Sequence, residues 1–133
     1  MTAHAFESRI AVRTGVARVT LVGELDLDTA PHVREAVAAC LAKRPKSLCL
    51  DLTSVGFCDC AGLNALLAAR ISVLEAGAAL VVEGIGPQLA RLLTLVGADD
   101  ILTDERVRQA RRRRAPAEAG RPLPTGPARP PLT

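Results

Sequence analysis

The sequence predicts an α/β domain: a mixed β-sheet of about four to five strands flanked by helices. Two segments of alternating apolar and polar residues adjoin near the N-terminus, which is the pattern of a hairpin. Later strand-like runs alternate with segments of helical periodicity, which demands right-handed βαβ crossovers. Glycine or proline stands at nearly every joint between them.

In chain order, residues 7–13 and 16–22 read as the two hairpin strands, turned at Thr14-Gly15. Ile10 and Val12 alternate with Arg9 and Arg13, and Val19 and Leu21 with Arg18 and Thr20. Gly23-Glu24-Leu25-Asp26 reads as a polar break. Asp28 or Thr29 can then cap a helix whose early Pro31 needs no intrahelical donor. Val33, Val37, Cys40 and Leu41 form its apolar stripe, and Arg44-Pro45 ends it. Residues 47–52 predict a third strand with Leu48, Leu50 and Leu52 on one face. A loop over Phe57-Cys58-Asp59-Cys60 leads into a helix from about Ala61 to Ala76, carrying Leu63, Leu66, Leu67, Ile71 and Leu74 and stopped by Gly77. Residues 79–83 predict a fourth strand. Pro87 opens a helix bearing Leu89, Leu92, Leu93 and Val96, and Gly97 closes it. Ile101-Leu102 reads as a last short extended piece.

The charge divides the chain in two. Residues 1–104 hold nine Lys/Arg against twelve Asp/Glu, whereas residues 105–133 hold eight Arg against two Glu. The reading is one domain over 1–104 and a basic, Pro-rich tail over 105–133. Six prolines among residues 115–133, with almost no apolar bulk, predict disorder there. The Arg111–Arg114 run reads as solvated and at most a weak, salt-sensitive nucleic-acid contact. With Phe6 and Phe57 the only aromatic residues, no stacking platform for single-stranded nucleic acid can be built. No apolar run is long enough to span a bilayer and no leader-like h-region stands at the N-terminus, so a soluble cytoplasmic protein is expected.

Four cysteines, Cys40, Cys49, Cys58 and Cys60, lack paired CxxC spacing, and His4 and His32 do not cluster with them. No metal site and no cofactor is expected. Cys40 and Cys49 read as core filler, reduced as in most cytosolic folds. No Ser/His/Asp set, P-loop or supported carboxylate pair is present, so neither an enzyme nor a small-molecule substrate is expected.

The stretch Phe57-Cys58-Asp59-Cys60-Ala61-Gly62-Leu63 resembles the switch motif of the STAS family (sulphate transporter and anti-sigma factor antagonist), in which a strand runs into Asp-Ser-(Ser/Ala)-Gly-Leu. Gly23-Glu24-Leu25-Asp26 resembles the family loop before the first helix. Leu50-Asp51-Leu52 with Val55 and Phe57 resembles the strand entering the switch, and Pro87 with Leu92-Leu93 and Val96-Gly97 the final helix. The resemblance covers about residues 6–103. It implies an anti-sigma factor antagonist that binds an anti-sigma factor of the serine-kinase type and so frees a sigma factor. It also implies a partner surface over Glu24, Asp26, Cys58, Asp59, Cys60, Ala61, Gly62 and Leu63. Asp59 would help orient the switch hydroxyl, and Gly62 would let a partner backbone approach.

At the switch itself the chain departs from the family. The phosphorylated serine is replaced by Cys60, and Ala61 offers no substitute hydroxyl. Phosphoregulation by a serine kinase is therefore not expected at this position. Two alternatives remain open: a thiol-responsive regulator through Cys58 and Cys60, whose side chains would share a face if residues 58–60 are extended, or a degenerate STAS scaffold.

Overall fold

A computed structural model describes residues 6–104; the N-terminal five residues and the expected basic tail over 105–133 lie outside it. β1 (Glu7–Arg13) and β2 (Val16–Leu25) form an antiparallel hairpin in which Glu7 faces Val22 and Arg13 faces Val16. Thr14 and Gly15 both adopt positive φ (51° and 81°), the twisted two-residue turn that matches the handedness of the strands. β3 (Ser47–Cys58) and β4 (Ala79–Glu83) add in parallel, giving the sheet order β1-β2-β3-β4. The crossovers are α1 (Ala30–Leu41) and α2 (Cys60–Glu75), and α3 (Pro87–Leu95) follows β4. This mixed four-stranded sheet with three helices agrees with the expected class.

One face of the sheet carries the core. Ala17, Val19 and Leu21 of β2 and Leu48, Leu50 and Leu52 of β3 are all at most 2% exposed, as the alternation requires. Val33, Val37 and Cys40 of α1 and Leu66 and Val73 of α2 close over them. On the opposite face, Arg18 donates to Asp51 (2.8 Å) and Glu83 (3.0 Å), tying β2, β3 and β4 together with one guanidinium. The neighbouring carboxylates hold the Arg18 guanidinium above its ordinary value, Glu83 more than Asp51.

Three boundaries differ from the sequence reading. β3 does not stop at Leu52; parallel pairing with β2 carries it to Cys58, through two register shifts that let extra β3 residues bulge outward. β2 likewise runs through Gly23-Glu24 to Leu25, because Leu25 is buried opposite Cys58. Ile101-Leu102 is not extended. Both amides donate back to the Ala98 carbonyl (3.0 and 3.1 Å), and the extended contact falls instead at Asp104, which bridges Val82.

Candidate functional site

The two long strands deliver their last residues to the same end of the sheet, where β2 turns into α1 and β3 into α2. The first turn is built by Asp26 and Thr29. The Asp26 carboxylate accepts from the Thr29 amide (3.0 Å), while the Thr29 hydroxyl accepts from the Asp26 amide (2.9 Å) and donates to the Glu24 carbonyl (2.8 Å). Thr29 is the N-cap residue of α1, yet its hydroxyl folds back on the turn rather than capping the helix. Leu27 is thereby pushed into solvent, 74% exposed.

The second turn is locked from both sides. Asp59 donates its amide to the Leu25 carbonyl (3.0 Å), which binds the start of α2 to the end of β2. Its extended backbone makes it the N-cap of α2, and its carboxylate accepts from the Gly62 amide (2.9 Å). Asp59 thus caps its own helix. Cys60, the first helical residue, is exposed.

Other members of the motif face inward. Cys58 is 0% exposed and Leu63 3%, and Gly62 is buried. In the isolated domain these three expected partner-facing residues thus lie beneath the surface. The reason for Gly62 is inside the chain: a Cβ there would lie 2.4 Å from the Leu25 carbonyl oxygen. Cys58 and Cys60 do not share a face either, because the chain turns from strand to helix at Asp59 between them. Burial, with the nearby Asp59 carboxylate second, pushes the Cys58 thiol up to about 12, and the Sγ rests 3.5 Å from the Asp59 carbonyl. A vicinal thiol pair is not what this turn presents. Cys40 and Cys49 are buried as expected; burial raises the thiol in both, to about 11 for Cys49.

Of the expected residues, Glu24, Asp26, Asp59, Cys60 and Ala61 reach solvent at this end, beside two exposed apolar residues outside the expected set. Phe57 pairs with Glu24 across β2 and β3 and is 45% exposed; Leu27 crowns the Asp26 turn. Leu27 had a signal, a lone large apolar residue between Asp26 and Asp28 where turns are polar. A third omission, Gln88 of α3, binds the main chain of Cys58 through both ends of its side-chain amide. Among the described residues no cluster of His, Cys, Asp or Glu could hold a metal ion, and no helix is long and apolar enough to cross a membrane.

A mixed sheet with helical crossovers and a capped strand-to-helix turn at one end defines an α/β domain. The family pattern described as "Mlab, STAS domain" matches residues 9–104, and the chain belongs to the STAS family. It is 34% identical over 84 residues to the anti-sigma-B factor antagonist of Listeria monocytogenes, covering 63% of this chain and 74% of that one. To the anti-sigma-F factor antagonist RsfB of Mycobacterium tuberculosis it is 33% identical over 90 residues, covering 68% and 73%. The crystal structure of an anti-sigma factor antagonist from Mycobacterium paratuberculosis superposes with a TM-score of 0.62 at 29% identity, covering 74% of this chain and 83% of that one.

Proposed function

We propose that this chain is an anti-sigma factor antagonist which docks an anti-sigma factor of the serine-kinase type through the end of the sheet bearing Asp26 and Cys60. Binding sequesters the anti-sigma factor and so frees a sigma factor. The reading is supported by relatives that carry the antagonist name over most of their length. The single observation that carries it is the exposed Cys60 at the first position of α2, beside the ordered Asp26 turn. Exposed Leu27 and Phe57 supply apolar anchors, and the carboxylates of Glu24 and Asp26 favour a partner face with basic groups. The domain acts by contact and needs no catalytic group of its own.

The same position frees the contact from serine phosphorylation. Phosphoryl transfer requires a hydroxyl oxygen in line with the γ-phosphorus of ATP, with ADP leaving as the new O–P bond forms. Cys60 brings a thiol of similar size and no such oxygen. Docking is kept and the off-switch is removed.

The test incubates wild type and Cys60→Ser with labelled ATP and each kinase-type anti-sigma factor of the source genome. Wild type binds one of them and stays unlabelled in ATP. Cys60→Ser binds the same factor, gains label at residue 60 and then loses affinity, because the phosphate brings about −1.5 to −2 charges into the contact. Strong labelling of wild type at any residue of this end refutes the escape. Binding by neither form to any such factor refutes the antagonist role and leaves a degenerate scaffold.

A further inference from the structure

β3 outruns β4. The last parallel pair between them is Asp51 with Glu83, whereas β3 continues over Leu52–Cys58. Along that extension one edge is held by β2; on the other, strand pairing ends at Asp51 and the chain after β4 follows β3 only to Gly84, which packs closely against Thr53. Buried main-chain polar groups beyond the paired strands must find partners elsewhere. For Cys58 the partner is a side chain. Gln88 Oε1 accepts from the Cys58 amide at 2.9 Å, and Gln88 Nε2 donates to the Cys58 carbonyl at 2.7 Å. A primary amide has the donor and acceptor arrangement of a peptide group, so Gln88 stands in for one residue of the missing strand.

A cleft of about 90 Å³ lined by Val55, Gly56, Pro87 and Gln88 lies where the start of α3 faces the bulged part of β3. α3 itself is fixed to the core by Leu89 and Leu93, each at most 4% exposed. Gln88, the second residue of that helix, therefore links an anchored element to the peptide immediately before Asp59 and Cys60.

We infer that Gln88 is a positioning residue for the recognition surface: its paired bonds to Cys58 fix the strand end from which Asp59 and Cys60 are presented, and so couple α3 to partner affinity. The inference rests on the docking reading above. A shift of α3 that withdraws Gln88 frees the Cys58 peptide and leaves the partner face loosely held.

The test compares full-length wild type with Gln88→Met, Gln88→Glu and Arg91→Ala. Methionine keeps the length of the side chain and loses both bonds. Glutamate keeps the shape but turns a second oxygen, not a donor, toward the Cys58 carbonyl. Arg91 is exposed on the same helix and serves as control. In the Met variant the Cys58 amide exchanges at least about tenfold faster, and affinity for the anti-sigma factor bound by wild type falls on the order of tenfold, while the circular dichroism spectrum is unchanged. The Glu variant loses affinity similarly and Arg91→Ala does not. A space-filling role would leave Met and Glu like wild type, and that result overturns the inference. Faster exchange with unchanged affinity also overturns it. If wild type binds no such factor, the docking reading falls separately. The rate of Cys60 alkylation by iodoacetamide then decides the positioning: a change of about threefold or more in Gln88→Met supports it, and an unchanged rate overturns it.

Discussion

Gly62 and Leu25 meet so closely that a methyl group on Gly62 would stand 2.4 Å from the Leu25 carbonyl oxygen and 2.7 Å from its carbon. That contact sets the first turn of α2 against the end of β2, and it is reinforced by the Asp59 amide on the same carbonyl. Both obstructing atoms are backbone, so neither can rotate away. Gly62→Ala is therefore expected to cost about 1–3 kcal/mol, as overpacking does, and to shift the Cys60 turn enough to weaken partner binding. Gly56→Ala, where nothing lies within 4 Å, is expected to be neutral or slightly stabilising. Urea denaturation of the two variants checks this, and equal midpoints would contradict it.

The Asp59 cap predicts a graded series. Asp59→Ala leaves the Gly62 amide without its 2.9 Å acceptor and should cost about 1 kcal/mol, whereas Asp59→Ser keeps a capping oxygen and most of the stability. Thermal midpoints in the order wild type, Ser, Ala are expected. An Ala variant as stable as wild type would show that the cap contributes nothing in solution.

The apolar rim predicts a division between binding and folding. Phe57 and Leu27 are 45% and 74% exposed, so replacing either with alanine removes little from the core. At an interface, a buried aromatic anchor commonly accounts for more than about 1 kcal/mol. Phe57→Ala is expected to raise the dissociation constant for the anti-sigma factor about tenfold, with the unfolding midpoint nearly unchanged. Titration calorimetry beside a melting curve reads both quantities, and an unaltered affinity would remove Phe57 from the contact.

The buried thiols predict alkaline sensitivity. Burial, followed by Asp59 for Cys58 and Glu83 for Cys49, pushes these groups up to about 12 and about 11 from an ordinary value of 9.0. In that interval the unfolded chain has lost protons which the folded chain still holds. Stability is thus fully present below pH 9 and falls as pH rises through the interval, approaching about 1.4 kcal/mol per pH unit for each thiol. Urea midpoints measured from pH 8 to 10.5 should fall, and Cys58→Ala should show a shallower slope. A flat wild-type profile would refute the expectation.

Periodicity was sufficient wherever a residue's fate depended on its own strand or helix. Leu48, Leu50 and Leu52 share the buried face, β4 has the expected limits, and Gly77 and Gly97 end their helices with positive φ. It misled where pairing with another strand overrode local character. Glu24 and Gly56 look like loop residues, yet they lie in strands because β2 and β3 remain hydrogen-bonded past their apolar cores. The site divides in the same way. The motif located the turn and its Cys60, but which of its members face outward follows from the pairing of Leu25 with Cys58. Gln88 could not be read at all, since its bonds to Cys58 arise where β3 runs on past the end of β4, in another part of the chain.

Of the four cysteines, three are sealed in the interior and Cys60 alone is open to reagents. A maleimide dye added to the unmodified chain would therefore attach at a single site, with no need to remove competing cysteines. That site is the centre of the face proposed to meet the partner. Labelled lightly, the protein would report its own complexes by a change in dye emission; labelled fully, it would carry a steric block at the proposed contact. The residue proposed to release this chain from a kinase also makes it addressable by a chemist.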